Sequence, residues 1–272
     1  MDVLFVFLIS IGAGGFGALV GIGGGLIIVP VLTLLLDVPI KTAIAASLIG
    51  VIATSMSATA HYLDAGLADR RLGLVLLVAT AAGGVTGGLI GGYLDPRILA
   101  AIFGTLLILV ALQMLRQRRS THAPVPPDPE AAGFTSSYVE PTDGSEVSYR
   151  VHRLPLGTAA SFVAGNVSGL LGVGGGVINV PTMNVAMGVP IRVATSTSTY
   201  MLGPTAAASA ILYFAAGALD PLLAGPVALG VFIGARAGAR LQARVSQGTL
   251  QLAFIGVALV FAAQMFLRVV TS

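Results

Sequence analysis

Two glycine clusters are the residues of this 272-residue chain best suited to bind a ligand without a charged side chain. They read Gly21-Ile22-Gly23-Gly24-Gly25 and Gly172-Val173-Gly174-Gly175-Gly176, each inside a long apolar stretch. Consecutive glycines in a helix interior cost about 1 kcal/mol each, so the spacing predicts helices that break there. A break frees backbone N–H groups and starts a new short helix, and together these form an anion site that needs no buried Lys or Arg. Close helix packing is the competing use of glycine in lipid. Two matched helix-breaking clusters exceed what packing alone requires.

Hydroxyl and amide side chains supply a second wall. Thr195-Ser196-Thr197-Ser198-Thr199-Tyr200 stands where the first half has Ile44-Ala45-Ala46-Ser47-Leu48-Ile49. Most such hydroxyls in a helix bond the carbonyl four residues back, yet Ser47 and Ser198 recur in both halves. Asn166 and Asn179 flank the second cluster and could donate to an oxyanion or bond a neighbouring helix. The candidate substrate-binding set is Gly21, Gly23, Gly24, Gly25, Ser47, Gly172, Gly174, Gly175, Gly176, Asn179, Thr197 and Ser198. His61 could exchange protons and Arg236 could attract anions, whereas Arg240 and Arg244 read as snorkelling anchors. No catalytic residue, metal or cofactor is expected, because there is no cysteine and His61, His122 and His152 are scattered.

The elements that position these residues are membrane helices. Hydrophobic residues make up 56% of the chain and charged ones only 9%, against about 25% charged in a soluble domain. Mean hydropathy is +0.95. Soluble enzymes and nucleic-acid binders are excluded on this ground. The N-terminus lacks the basic stretch of a cleaved signal peptide. Apolar segments run over 3–20, 26–36, 43–62, 72–92 and 98–115, then over 154–171, 177–188, 193–216, 221–242 and 249–270. Between the two sets, 116–153 is rich in Pro and acidic residues and reads as a cytoplasmic, largely flexible linker.

Adding 151 to a first-half residue number lands on its counterpart. Ile27, Val29 and Pro30 meet Ile178, Val180 and Pro181; Tyr62 meets Tyr213, and Asp69 meets Asp220. The domains are therefore a first repeat, 1–115, the linker 116–153, and a second repeat, 154–272. Five crossings per half with the N-terminus outside would leave only Lys41, Arg97 and Arg268 on the outer side. Arg70, Arg71, Arg116, Arg118, Arg119, Arg150, Arg153, Arg192, Arg236, Arg240 and Arg244 would lie inside. That distribution obeys the positive-inside rule and makes the repeats inverted. The expected fold class is all-α integral membrane, with two inverted five-segment repeats, about ten membrane segments, and Gly-broken helices meeting at the midplane.

Two matches to other motifs fail on context. Gly12-Ala13-Gly14-Gly15-Phe16-Gly17 fits a dinucleotide fingerprint but sits in no βαβ unit. Ser168 lacks the surroundings of a serine nucleophile. Gly83, Gly87 and Gly91, with Gly234 and Gly238 opposite, read as small-residue helix contacts.

The paired motifs Gly21-Ile-Gly-Gly-Gly-Leu-Ile-Ile-Val-Pro30 and Gly172-Val-Gly-Gly-Gly-Val-Ile-Asn-Val-Pro181 resemble those of the TauE/SafE family of sulfite and organosulfonate exporters. The resemblance covers the chain outside 116–153, and that linker is long for the family. It implies a multi-pass protein of the bacterial inner membrane that moves small sulfur-containing anions, sulfite or sulfonates such as sulfoacetate, linked to the proton motive force. Its partners are then the anion and membrane lipid, with no nucleic acid. A passive anion channel and an intramembrane hydrolase are the alternatives, while oligomeric state stays open. Single cysteines placed at residues 2 and 120 should label from opposite sides of the membrane; labelling from one side would overturn the orientation.

Overall fold

The computed structural model describes residues 3–20, 23–119, 134–140, 144–241 and 247–271. The first half forms α1 (Val3–Val20), α2 (Gly25–Leu35), α3 (Ile40–Asp64), α4 (Arg70–Tyr93) and α5 (Pro96–Arg119). The second forms α6 (Leu154–Leu171), α7 (Gly176–Pro181), a π-helical turn over Thr182–Ala186, α8 (Ile191–Ala215), α9 (Pro221–Leu241) and α10 (Gln247–Thr271). The starts pair as Val3 with Leu154, Gly25 with Gly176, Ile40 with Ile191, Arg70 with Pro221 and Pro96 with Gln247. Each pair differs by 151, so the sequence offset is also a structural one. Among the described residues, five helices are long and apolar enough to cross a membrane: α3, α4, α6, α9 and the Pro96–Leu115 stretch of α5. Shorter apolar helices accompany them, as expected of an all-α membrane protein.

The two halves are interlocked. The first helix of each packs against the fourth helix of the other, α1 on α9 and α6 on α4, while α3 meets α8 and α5 meets α10. Glycine makes the approach possible. Gly230, Gly234 and Gly238 of α9 lie against the carbonyls of Phe7, Ile11 and Gly15. Gly83 and Gly87 of α4 lie in the same way against the carbonyls of Phe162 and Asn166. Contacts that advance together along both helices mean that α1 runs parallel to α9, and α6 parallel to α4. Lipid offers no hydrophobic drive between helices, so such backbone contacts have to hold the bundle.

The linker departs from expectation over its described residues, 134–140 and 144–153, while 120–133 and 141–143 lie outside the described residues. Residues read as a largely flexible loop form an antiparallel hairpin, β1 (Thr135–Val139) and β2 (Glu146–Arg150). A lone hairpin is marginally stable, and this one is held by the helices beneath it. Tyr138 and Tyr149 are buried, and the Tyr149 hydroxyl donates to Asp69 Oδ2 at 2.8 Å. Glu140 pairs with Arg192 at 3.0 Å, Arg71 lies over the Phe134 ring, and the His152 amide donates to the Met187 carbonyl. Burial first, then the hydrogen bond to Asp69, raises the Tyr149 pKa above the ordinary phenol range, while Ser136 opposes.

Gly234→Ala should press a methyl group into the Ile11 carbonyl and cost about 1–3 kcal/mol, read as a lower melting temperature in detergent. Gly225→Ala, with nothing within 4 Å, should melt as the parent does. Tyr149→Phe leaves the buried Asp69 oxygen short of a donor, at a cost of about 1–3 kcal/mol. Amide exchange over 135–150 should then speed up selectively. Because the folded-state pKa is raised, the parent's docking should persist below about pH 10 and weaken only above it.

Candidate functional site

Both glycine clusters break the helix. Gly23 and Gly24 have φ of 88° and 76°, and Gly172, Gly174 and Gly175 have φ of 69°, 91° and 67°. These left-handed values suit glycine alone, so the ladder stops and restarts at Gly25 and at Gly176. Gly21 and Ile22 lie outside the described residues. The two breaks share one seat. A Cβ on Gly24 would meet the Ala13 carbonyl at 2.9 Å, and one on Gly175 the Ala164 carbonyl at 3.2 Å, again 151 residues apart. Among the described residues, the backbone N–H groups of Val173, Gly174, Gly175 and Val177 find no acceptor.

The breaks also touch each other. Gly25 lies directly against the Gly172 carbonyl, and the Ser47 hydroxyl donates to that same oxygen at 2.7 Å. Ser47, expected as a ligand, therefore ties the first half to the second break in this conformation. No gap separates Gly25 from Gly172 here. A solute between them would require the halves to part.

Unpaired polarity collects on the second half. Ser168 of α6, Asn179 of α7, and Ser196 and Ser198 of α8 are at most 1% exposed. Yet the three hydroxyls and the Asn179 Nδ2 have no hydrogen-bond partner. These three helices pack together. An unpaired buried donor costs about 1–3 kcal/mol, and of the four Ser168 stands beside the second break, its Cβ 3.6 Å from where a Cβ on Gly175 would be. Asn179 is oriented by Ser161, whose hydroxyl donates to its Oδ1 at 3.1 Å.

The remaining candidates separate. Thr197 is buried, but its hydroxyl accepts the Asp69 amide at 2.9 Å, at the end covered by the hairpin. Thr199 bonds the Thr195 carbonyl, the ordinary back-bond of a helix. His61 and Arg236 come together with Asp64 and Arg240 in an exposed groove between α3 and α9, apart from the buried donors. Asn166 lies on the α4–α6 contact. Sequence reasoning gave Ser168 and Ser196 no ligand role. Their signal was present: Ser161 and Ser168 stand seven residues apart on one face of α6, toward α7. Asp69 was noted only as the repeat mate of Asp220. It is a helix cap, accepting the Leu72 amide while linking the hairpin to Thr197.

The ends of the bundle differ. At one end, Leu36, Asp37, Val38, Pro39, Thr42, Gly217–Asp220 and Leu223 line an open pocket of about 400 Å³. Their counterparts at the other end include Met187, Val189, Leu67 and Leu72, buried in one cluster with Tyr138 and Tyr149, and the buried Asp69.

Comparison with known proteins agrees with this architecture. The family model described as sulfite exporter TauE/SafE matches residues 6–265. The chain is similar to the probable membrane transporter protein YunE of Bacillus subtilis, 27% identical over 255 residues, covering 90% of this chain and 91% of that one. It is also 27% identical over 239 residues to the probable membrane transporter protein YdhB of the same organism, covering 88% of each. A third relative, the probable membrane transporter protein MJ0441 of Methanocaldococcus jannaschii, is 27% identical over 224 residues, covering 78% of this chain and 73% of that one. No solved structure matches the chain. With its apolar helices and a family match that runs through both glycine breaks, this multi-pass membrane transporter belongs to the sulfite exporter TauE/SafE family.

Proposed function

We propose that the chain is a secondary transporter that exports small sulfur-containing anions, sulfite or an organosulfonate such as sulfoacetate, across the bacterial inner membrane. Export proceeds by alternating access and draws on the proton motive force. The observation that carries the reading is the set of buried, unpaired donors on three mutually packed helices of the second half: Ser168 of α6, Asn179 of α7, and Ser196 and Ser198 of α8. Sulfite and sulfonates present three oxygens on one sulfur, and neutral donors fixed in a low-dielectric site stabilise such charge without a competing buried cation. The ligand set of this proposal is Gly21, Gly23, Gly24, Gly25, Ser47, Gly172, Gly174, Gly175, Gly176, Asn179 and Ser198, joined by Ser168 and Ser196, while Thr197 is left to the Asp69 amide. Glycine amides and the N-terminus of α2 supply the first half's share.

The repeats, on this proposal, are inverted about an axis in the membrane plane. Two observations support that arrangement: the parallel crosswise pairs α1–α9 and α4–α6, and the Gly172 end of α6 lying beside Ile44 and Ser47 near the start of α3. Alternation is supported by the unequal ends, one pocketed and one covered by the hairpin. Release toward the covered side then requires the hairpin to lift from Asp69 and Arg192, and the Gly25–Gly172 contact to open.

Labelled sulfite uptake and efflux in proteoliposomes, with and without a pH gradient, tests the proposal. Asn179→Ala and Ser198→Ala should each slow sulfite flux about ten-fold, roughly 1.4 kcal/mol of transition-state binding, with Ser198→Ala melting no lower than the parent. Parental rates in both variants would sink the site. Flux that neither saturates nor responds to the pH gradient would favour a passive channel instead.

A further inference from the structure

A separate polar cluster lies on the face that α3 and α9 turn outward. His61 and Asp64 of α3 and Arg236 and Arg240 of α9 line a groove of about 290 Å³, whose apolar wall includes Met56 and Phe232. Met56 is 68% exposed and Phe232 40% exposed on helices long and apolar enough to cross a membrane. Their surroundings are therefore acyl chains. The groove is fixed in shape, because the Ser57 hydroxyl at its base donates to the Phe232 carbonyl at 2.9 Å and ties α3 to α9.

Three features make this more than a pair of topology anchors. First, none of the four charged or titratable side chains makes a hydrogen bond or an ion pair among the described residues, whereas Arg192 and Arg268 each hold a carboxylate. Second, the 151-residue offset maps His61, Asp64, Arg236 and Arg240 onto Leu212, Ala215, Val85 and Leu89. The scaffold does not need polarity here, since its twin surface is wholly apolar. Third, Arg236 stands one helical turn, about 6 Å, deeper than Arg240 on the same face. Two planar guanidiniums stacked along one groove can fork onto a phosphodiester. A carboxylate beside them would repel a bare phosphate but can accept hydrogen bonds from hydroxyls.

We propose that this groove binds an anionic glycerophospholipid whose head bears free hydroxyls. The phosphodiester rests on Arg236 and Arg240, the head hydroxyls on Asp64 and His61, and an acyl chain lies along Met56 and Phe232. The site is distinct from the buried donors of the transport proposal.

Native mass spectrometry of the detergent-purified protein with dioleoyl-phosphatidylglycerol or dioleoyl-phosphatidylcholine tests it directly. The parent should retain the phosphatidylglycerol about five-fold more than the phosphatidylcholine. R236Q/R240Q should lose that preference while melting like the parent, which is expected because both residues are exposed. Arg97→Gln, at the other end of the bundle, should keep it. Equal retention of the two lipids by the parent, or a preference surviving in R236Q/R240Q, would overturn the proposal. Displacement of the lipid by millimolar inorganic phosphate would assign the groove to free anions instead.

Discussion

The backbone-to-backbone approach of α1 to α9, and of α4 to α6, is the contact on which the rest of the molecule depends. Inside hydrocarbon, apolar side chains gain little by leaving lipid for one another, so affinity between helices must come from fit. Gly234 and Gly238 against the carbonyls of Ile11 and Gly15, and Gly83 and Gly87 against those of Phe162 and Asn166, provide that fit twice. Because each first helix finds its main partner in the opposite half, neither repeat is a self-contained body. The interlock also explains how α6 can end abruptly at Gly172. A helix terminus in lipid must have its freed polar groups covered by protein, and the partner helices and α3 cover them.

On this common frame the halves have diverged chemically. The third helix of the first half is largely aliphatic where α8 carries Thr195 through Thr199. Ser47 spends its hydroxyl on the Gly172 carbonyl, while its repeat mate Ser198 is buried without a partner. One half thus braces the junction and the other holds unused donors. Those donors lower stability, a cost that the proposed anion would offset on binding.

Much of the frame was legible in the sequence, because duplication shows as a constant offset and glycine runs cannot continue a helix. The starts at Gly25 and Gly176, the small-residue faces of α4 and α9, and the short second helices all follow from residue type. The crosswise pairing was not legible: Gly234 announces a close neighbour but does not say that the neighbour is Ile11. The linker was misjudged because its composition is polar overall, whereas two tyrosines on a five-residue pairing suffice once Asp69 and Arg192 lie below. The site was half legible. The glycine breaks were visible, but which hydroxyls remain unpaired depends on three-dimensional neighbours, as Ser47 and Ser198 illustrate.

A tandem duplication has a single junction, so there can be one hairpin and not two. Were the halves otherwise equivalent, swapping their roles would give two conformations of equal free energy and equal population. The Tyr149–Asp69 and Glu140–Arg192 contacts tie the junction to one end of the bundle, so under the proposed alternating access they would hold in only one of those conformations. They lift the degeneracy by whatever they contribute, and a ligand must supply that difference to invert the populations. On the alternating-access proposal the junction peptide is in this sense a thermodynamic bias on which way the empty protein rests.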